Sequence, residues 1–179
     1  MSDLNQYLAQ KREALLIRNA RDPATLKPET ITARTAAEGR SGIRHIRIRE
    51  HHIISDSPPD FAGYNLGPVS PEIFIGSLSS CLTHIFLIHA ADRQIPLSRL
   101  EVEVQADVDA RGGKEGYEDI PFYPFNLRYT VEIESTVDEE EITALRQSVE
   151  TWCPVLNLIK NPQSIEGKVN YRQVNRDGK

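Results

Sequence analysis

Two residues in this 179-residue chain can do thiol chemistry, Cys81 and Cys153, and they lie 72 positions apart. Cys81 sits within the longest apolar run, SPEIFIGSLSSCLTHIFLIHAADRQ (70–94). Alone it reads as a small buried hydrophobe or as a nucleophile. It falls well past the first turn of any helix starting at Ser70, and its apolar neighbours favour the neutral thiol. A functional Cys81 therefore needs a cation from elsewhere in the fold. Cys153 precedes Pro154 where an N-cap would stand, and a helix N-terminus lowers a thiol pKa, so on local physics it is the more acidic of the two. Core packing of Trp152 and Cys153 explains the same residues.

His84 lies one turn after Cys81 on the same face, which permits a Cys–His hydrolase pair or half a metal site. No second metal-ligand motif accompanies it, and no motif announces an oxyanion hole. Glu72 reads as a first-turn acid favouring the helix dipole. On a straight helix it lies two and a half turns from Cys81, roughly 14 Å away and on the opposite face. If both serve one site, the helix is distorted or Glu72 serves the Cys81 of a second subunit.

The elements that must position these residues follow from pattern. Residues 3–20 form an amphipathic helix that docks on the domain or on a partner, and the sequence decides neither. Thr30 to Ala37 and Ile43 to Ile54 read as two strands around a turn at 38–42. A Pro/Gly loop, 57–68, leads into a central helix over 70–94 with Ser70 as N-cap and Pro71 first in the helix. Apolar residues fall on every side of that helix, so it should be buried all round. Its nineteen residues without Asp, Glu, Lys or Arg approach a membrane span; the serines, Thr83 and two histidines that dilute it argue for a core helix. Leu100 to Val108 and Leu127 to Ile133 alternate cleanly as strands wet on one face. The long loop between them carries Tyr117, Phe122 and Tyr123, aromatics placed to cover a pocket or simply packed in a loop. Asp138 to Trp152 is a capped helix with Ile142, Leu145, Val149 and Trp152 on one side. A short helix from Pro154 to Lys160 and a last strand through Ile165, Val169 and Tyr171 complete an α+β domain of order ββ-α-ββ-α-β.

Composition bounds the function. With 39% hydrophobic and 26% charged residues and a net charge of −5, the chain reads as an ordinary globular domain with no basic field to attract nucleic acid. No leader peptide is visible and two cysteines make no disulfide scaffold, which points to cytoplasmic thiols.

Taken together, GPVSPEIFIGSLSSCLT (67–83) and CPVLN (153–157) resemble the two cysteine motifs of the OsmC/Ohr family, the osmotically inducible and organic hydroperoxide resistance proteins: N-P-E-x-L…A-x-x-A-C-F and C-P-x-S-N. The likeness covers about residues 29–174, leaving 1–28 as an N-terminal helical extension to a 29–179 domain. Leu-Thr-His after Cys81, in place of the usual aromatic residue, places the chain nearer the broad OsmC-like group. The resemblance implies antiparallel sheets around a buried central helix in an intertwined homodimer, with sites at the subunit interface. It implies a peroxidase in which Cys81 attacks an organic hydroperoxide and becomes a sulfenic acid. Cys153 resolves this to a disulfide, and a dithiol such as a lipoyl group reduces it. No cofactor or metal is expected, and no nucleic-acid or membrane partner. An arginine held by the glutamate at position 72 would stabilise the Cys81 thiolate. Arg34, Arg40, Arg44, Arg47 and Arg49 are available, and spacing favours Arg40 by one family pattern and the neighbourhood of Arg49 by the other. The alternative is a non-catalytic protein of the same fold that binds a small hydrophobic or electrophilic ligand.

Overall fold

The computed structural model describes residues 4–40 and 42–173. Its first helix, α1 (Leu4–Asn19), stops before Asp22-Pro23, where the Asp22 carboxylate accepts the Ala24 N–H at 3.0 Å. It docks on its own domain. Leu8 is buried against the central helix, and the Asn5 side-chain oxygen accepts the Leu97 N–H at 2.9 Å.

The N-terminal strands depart from the sequence reading. Instead of two there are three, β1 (Ala33–Glu38), β2 (Ile43–Ile48) and β3 (His51–Ser55), in one antiparallel sheet of that order. The long second strand breaks at Arg49-Glu50, where Arg49 takes a left-handed φ of 54°, and the chain turns back to pair Ile48 with His51. Residues 30–32 lie outside the sheet.

The central helix, α2 (Ser70–Arg93), is capped one residue earlier than expected. Val69 is the N-cap, and the Glu72 carboxylate accepts the Val69 N–H at 2.8 Å, giving only the acidic half of a capping box. Among the described residues, α2 alone is long and apolar enough to cross a membrane. In the fold its inward stripe, Leu78, Leu82, Ile85, Phe86 and Ala90, is the centre of the core.

Burial all round is not what the chain achieves by itself. A stripe through Gly76, Ser77, Ser80 and His84 stays exposed, because none of the described residues covers it.

Behind α2, β4 (Arg99–Asp107) and β5 (Phe125–Glu134) pair antiparallel with Leu100 opposite Ile133, Val102 opposite Val131 and Val104 opposite Tyr129. Those residues face the core and the intervening glutamates face water, as the alternation required. Ser79 ties helix to sheet by donating to the Val102 carbonyl at 2.8 Å.

Next come α3 (Glu139–Trp152), whose cap Asp138 accepts the Glu141 N–H at 2.9 Å, and α4 (Pro154–Lys160). Ile142, Leu145 and Val149 point inward. Trp152, expected on the same side, is 68% exposed, and Cys153 takes the next inward position. No strand forms over Ile165, Val169 and Tyr171, which are exposed and have no sheet partner within the described residues.

The observed order is therefore α-βββ-α-ββ-α-α, not ββ-α-ββ-α-β.

Candidate active site

The long apolar stretch around Cys81 folds as one uninterrupted helix, and Cys81 falls on the flank of its buried stripe, half-buried. On the other side, α3 must end at Trp152 because Pro154 cannot continue it, yet the Cys153 N–H still donates to the Val149 carbonyl at 2.8 Å. Cys153 thus closes α3 and opens α4, with its side chain fully buried. The two sulfurs meet at 3.5 Å. A disulfide needs about 2.05 Å, so the pair stands roughly 1.5 Å from bonding.

The junction holding Cys153 is fastened by Asn157. Its side-chain amide donates to the carbonyls of Glu150, Thr151 and Cys153 at 3.2, 3.0 and 2.9 Å. Glu150, one turn before Cys153, also receives the Tyr129 hydroxyl in a close hydrogen bond that pins α3 to β5. Neither Tyr129 nor Glu150 was singled out by sequence reasoning, since the contact joins strand and helix across 21 residues without a motif.

The acidity expected of Cys153 is overturned. Burial raises its thiol pKa above the ordinary value; the N–H groups of Leu156 and Val155 pull the other way, and the neighbouring Cys81 sulfur adds to the rise. The helix N-terminus acts as the sequence implied, but it is outweighed by the loss of solvent.

His84 is exposed on α2, and its pKa is lowered by burial first, then by Lys11 and Arg18 of α1. The thiol beside Cys81 belongs to Cys153, so the structure brings together a Cys–Cys pair. Glu72 stays at the other end of an unbroken helix, where it caps its own N-terminus. It borders a cavity of about 570 Å³ together with Arg128, whose guanidinium is committed to Gln105 and Asp107 at 3.0 Å each.

The candidate arginines are unequal. Arg40 lies in the exposed β1–β2 turn, and Arg49 in the exposed β2–β3 turn, 4.0 Å from Glu50. Arg44 is half-buried and donates to the Ser55 hydroxyl at 3.1 Å, beside the fully buried Asp56. Its Nε is buried with no hydrogen-bond partner among the described residues. Asp56 accepts the backbone N–H groups of Ser57, Tyr64 and Leu66 at 2.8, 2.9 and 3.2 Å. Burial works to raise its pKa, but those three donors together with Arg44 bring it below the ordinary value.

In the loop after β4, Tyr117 stacks under Arg111 and Phe122 meets Tyr123 edge-on, with all three rings well exposed.

Small antiparallel sheets and helices, with two cysteines from distant parts of the chain in sulfur contact, define an α+β dithiol protein. Its family follows from comparison: the OsmC-like protein model matches residues 63–168, more than half of the chain, and the chain belongs to that family. The fold is similar to an OsmC-like protein from Mycoplasma pneumoniae (TM-score 0.63, 17% identity, covering 75% of this chain and 89% of that one). It is also similar to an OsmC-like protein of unknown function from Vibrio cholerae (0.55, 13%, 73% and 93%). A third likeness is to an organic hydroperoxide resistance protein OsmC from Legionella pneumophila (0.52, 18%, 75% and 92%). None of the curated proteins matches the chain by sequence.

Proposed function

We propose that this protein is a thiol-dependent peroxidase for organic hydroperoxides. The observation that carries the reading is the 3.5 Å approach of Cys81 and Cys153. The half-buried Cys81 is the attacking sulfur. Its thiolate takes the distal oxygen of ROOH, the O–O bond breaks, and with one proton the alcohol ROH leaves and Cys81 becomes a sulfenic acid. The buried Cys153 is the resolving thiol. Its sulfur displaces the hydroxyl from Cys81, its proton leaves with that hydroxyl as water, and a disulfide remains. An external dithiol such as a lipoyl group reduces the disulfide and is itself oxidised.

Glu72 does not reach Cys81 along its own helix, which supports a homodimer in which the uncovered stripe of α2 meets a second copy and Glu72 serves the opposite Cys81. The thiolate-stabilising guanidinium then comes from the N-terminal strands. Spacing names Arg40 and Arg49, whereas the fixed guanidinium of Arg44, with its unpaired Nε, makes Arg44 the best-held candidate. Residues 1–28 act as an extension to the 29–179 domain, and the protein works in the cytoplasm.

The test is turnover of an organic hydroperoxide with dihydrolipoamide as reductant. Cys81→Ser abolishes turnover, and Cys153→Ser leaves a sulfenic acid that a dimedone probe traps; turnover unchanged in Cys81→Ser eliminates the reading.

The exposed positions of Arg40 and Arg49 favour a second reading, a non-catalytic binding protein for a small hydrophobic or electrophilic ligand. Fast alkylation of Cys81 near neutral pH would count against it.

A further inference from the structure

Outside the residues matched by the family model, α1 builds a cavity that the thiol chemistry does not use. It has a volume of about 360 Å³ and lies between α1, the C-terminal turn of α2 and the start of the segment leading to β4. Small-molecule sites begin at roughly this size, about 300 Å³. Leu8, Ala9, Ala90, Ala91 and Ile95 give it an apolar wall. Arg12, Glu13 and Gln94 give it a polar side.

Two observations on that side point to the occupant. Arg12 is half-buried, yet its guanidinium makes no hydrogen bond, ion pair or ring contact with any described residue. A guanidinium free of partners at the edge of an apolar cavity can take the carboxylate of a ligand in charge-assisted hydrogen bonds. Gln94 holds the α2 C-cap at φ 58°, a left-handed position where glycine is the usual residue, and lines the same space. The acidic Glu13 at the same cavity opposes a second negative charge.

We infer that the α1–α2 cavity binds a small monocarboxylate with an apolar tail, the tail against the alanine wall and the carboxylate on Arg12 with Gln94 beside it. The site bridges α1 to the core, so an occupant fastens the extension onto the domain.

Calorimetric titration of the full chain with sodium octanoate tests this, with 1-octanol as the neutral probe. One saturable octanoate site per chain is expected. Arg12→Gln should weaken it roughly tenfold, the loss of one charge-assisted contact. Ala9→Trp, which fills the cavity, should remove it. Cys81→Ser should leave it unchanged, which separates this site from the thiol pair. Arg12 is a surface side chain, so its variant remains decisive if Ala9→Trp fails to fold. Four results overturn the inference: no saturable octanoate binding at millimolar concentration, equal binding of octanol, unchanged affinity in Arg12→Gln, or loss of binding in Cys81→Ser.

Discussion

The two sheets of this protein meet opposite fates. The β4–β5 sheet lays Leu100, Val102, Val104, Tyr129, Val131 and Ile133 against α2 and completes a core within one chain. The β1–β3 sheet has the same antiparallel order, but none of its residues joins that core, and Ile53 and Ile54 remain 38% and 42% exposed. The first sheet is stabilised by apolar burial, whereas the second depends on its hydrogen-bonded ladder and on the polar cluster around Asp56. Strands short of an apolar partner are marginal alone. This chain is closed around α2 and the β4–β5 sheet and open at β1–β3, in keeping with the proposed second copy.

Truncating one apolar side chain in each region should separate the two. Leu82→Ala, at a fully buried site, should cost about 2–5 kcal/mol in denaturant unfolding. Ile54→Ala should cost less than about 1 kcal/mol in a monomer, and in the proposed dimer should instead shift the monomer–dimer balance in sedimentation. Equal costs at high dilution would erase the distinction.

Acid tests the polar half. Asp56 has a folded pKa below its unfolded one, so its contribution is present above the ordinary carboxylate value and lost as pH falls through the lowered one. Limited proteolysis between residues 56 and 66 should therefore accelerate below about pH 4. Asp56→Asn should show the faster cleavage already at neutral pH.

Alkali tests the apolar half. The folded pKa of Cys153 lies above its unfolded value, so its contribution is whole below the ordinary thiol pKa and declines as pH rises past about 8.5. Cys153→Ala should flatten the alkaline limb of the stability curve, and native Cys153 should resist iodoacetamide near neutral pH.

The smallest effect belongs to α1. His84 has a lowered folded pKa, so its contribution is present above about pH 6.5 and lost on acidification. Hydrogen exchange in α1 should quicken modestly below that pH, and less so in His84→Gln.

Legibility in the sequence followed the same divide. The period of two in β4 and β5 and the cap of α3 are local signals that the core reinforces, and all three elements fall where their residues say. The turn at Arg49-Glu50 escaped because a charged, non-glycine pair carries no turn signature, although Arg49 adopts φ 54° there. The alternation around Val169 suggested a strand, but a strand needs a neighbour, and this chain provides none among the described residues. Cys81 and Cys153 were legible as a pair through their motif contexts. Their relative acidity was not, because a helix terminus is visible in sequence and the solvent exclusion that outweighs it is a property of packing.

The double role of Cys153 as last cap of one helix and first cap of the next has a mechanical consequence. With its backbone N–H and C=O both engaged and the Asn157 amide bracing three carbonyls, the peptide frame around the sulfur is clamped. Any shortening of the gap to Cys81 then falls to side-chain torsions, a swing of two χ1 angles with the helices at rest. Such a pair could open and close many times without asking the scaffold to remember which state it was in.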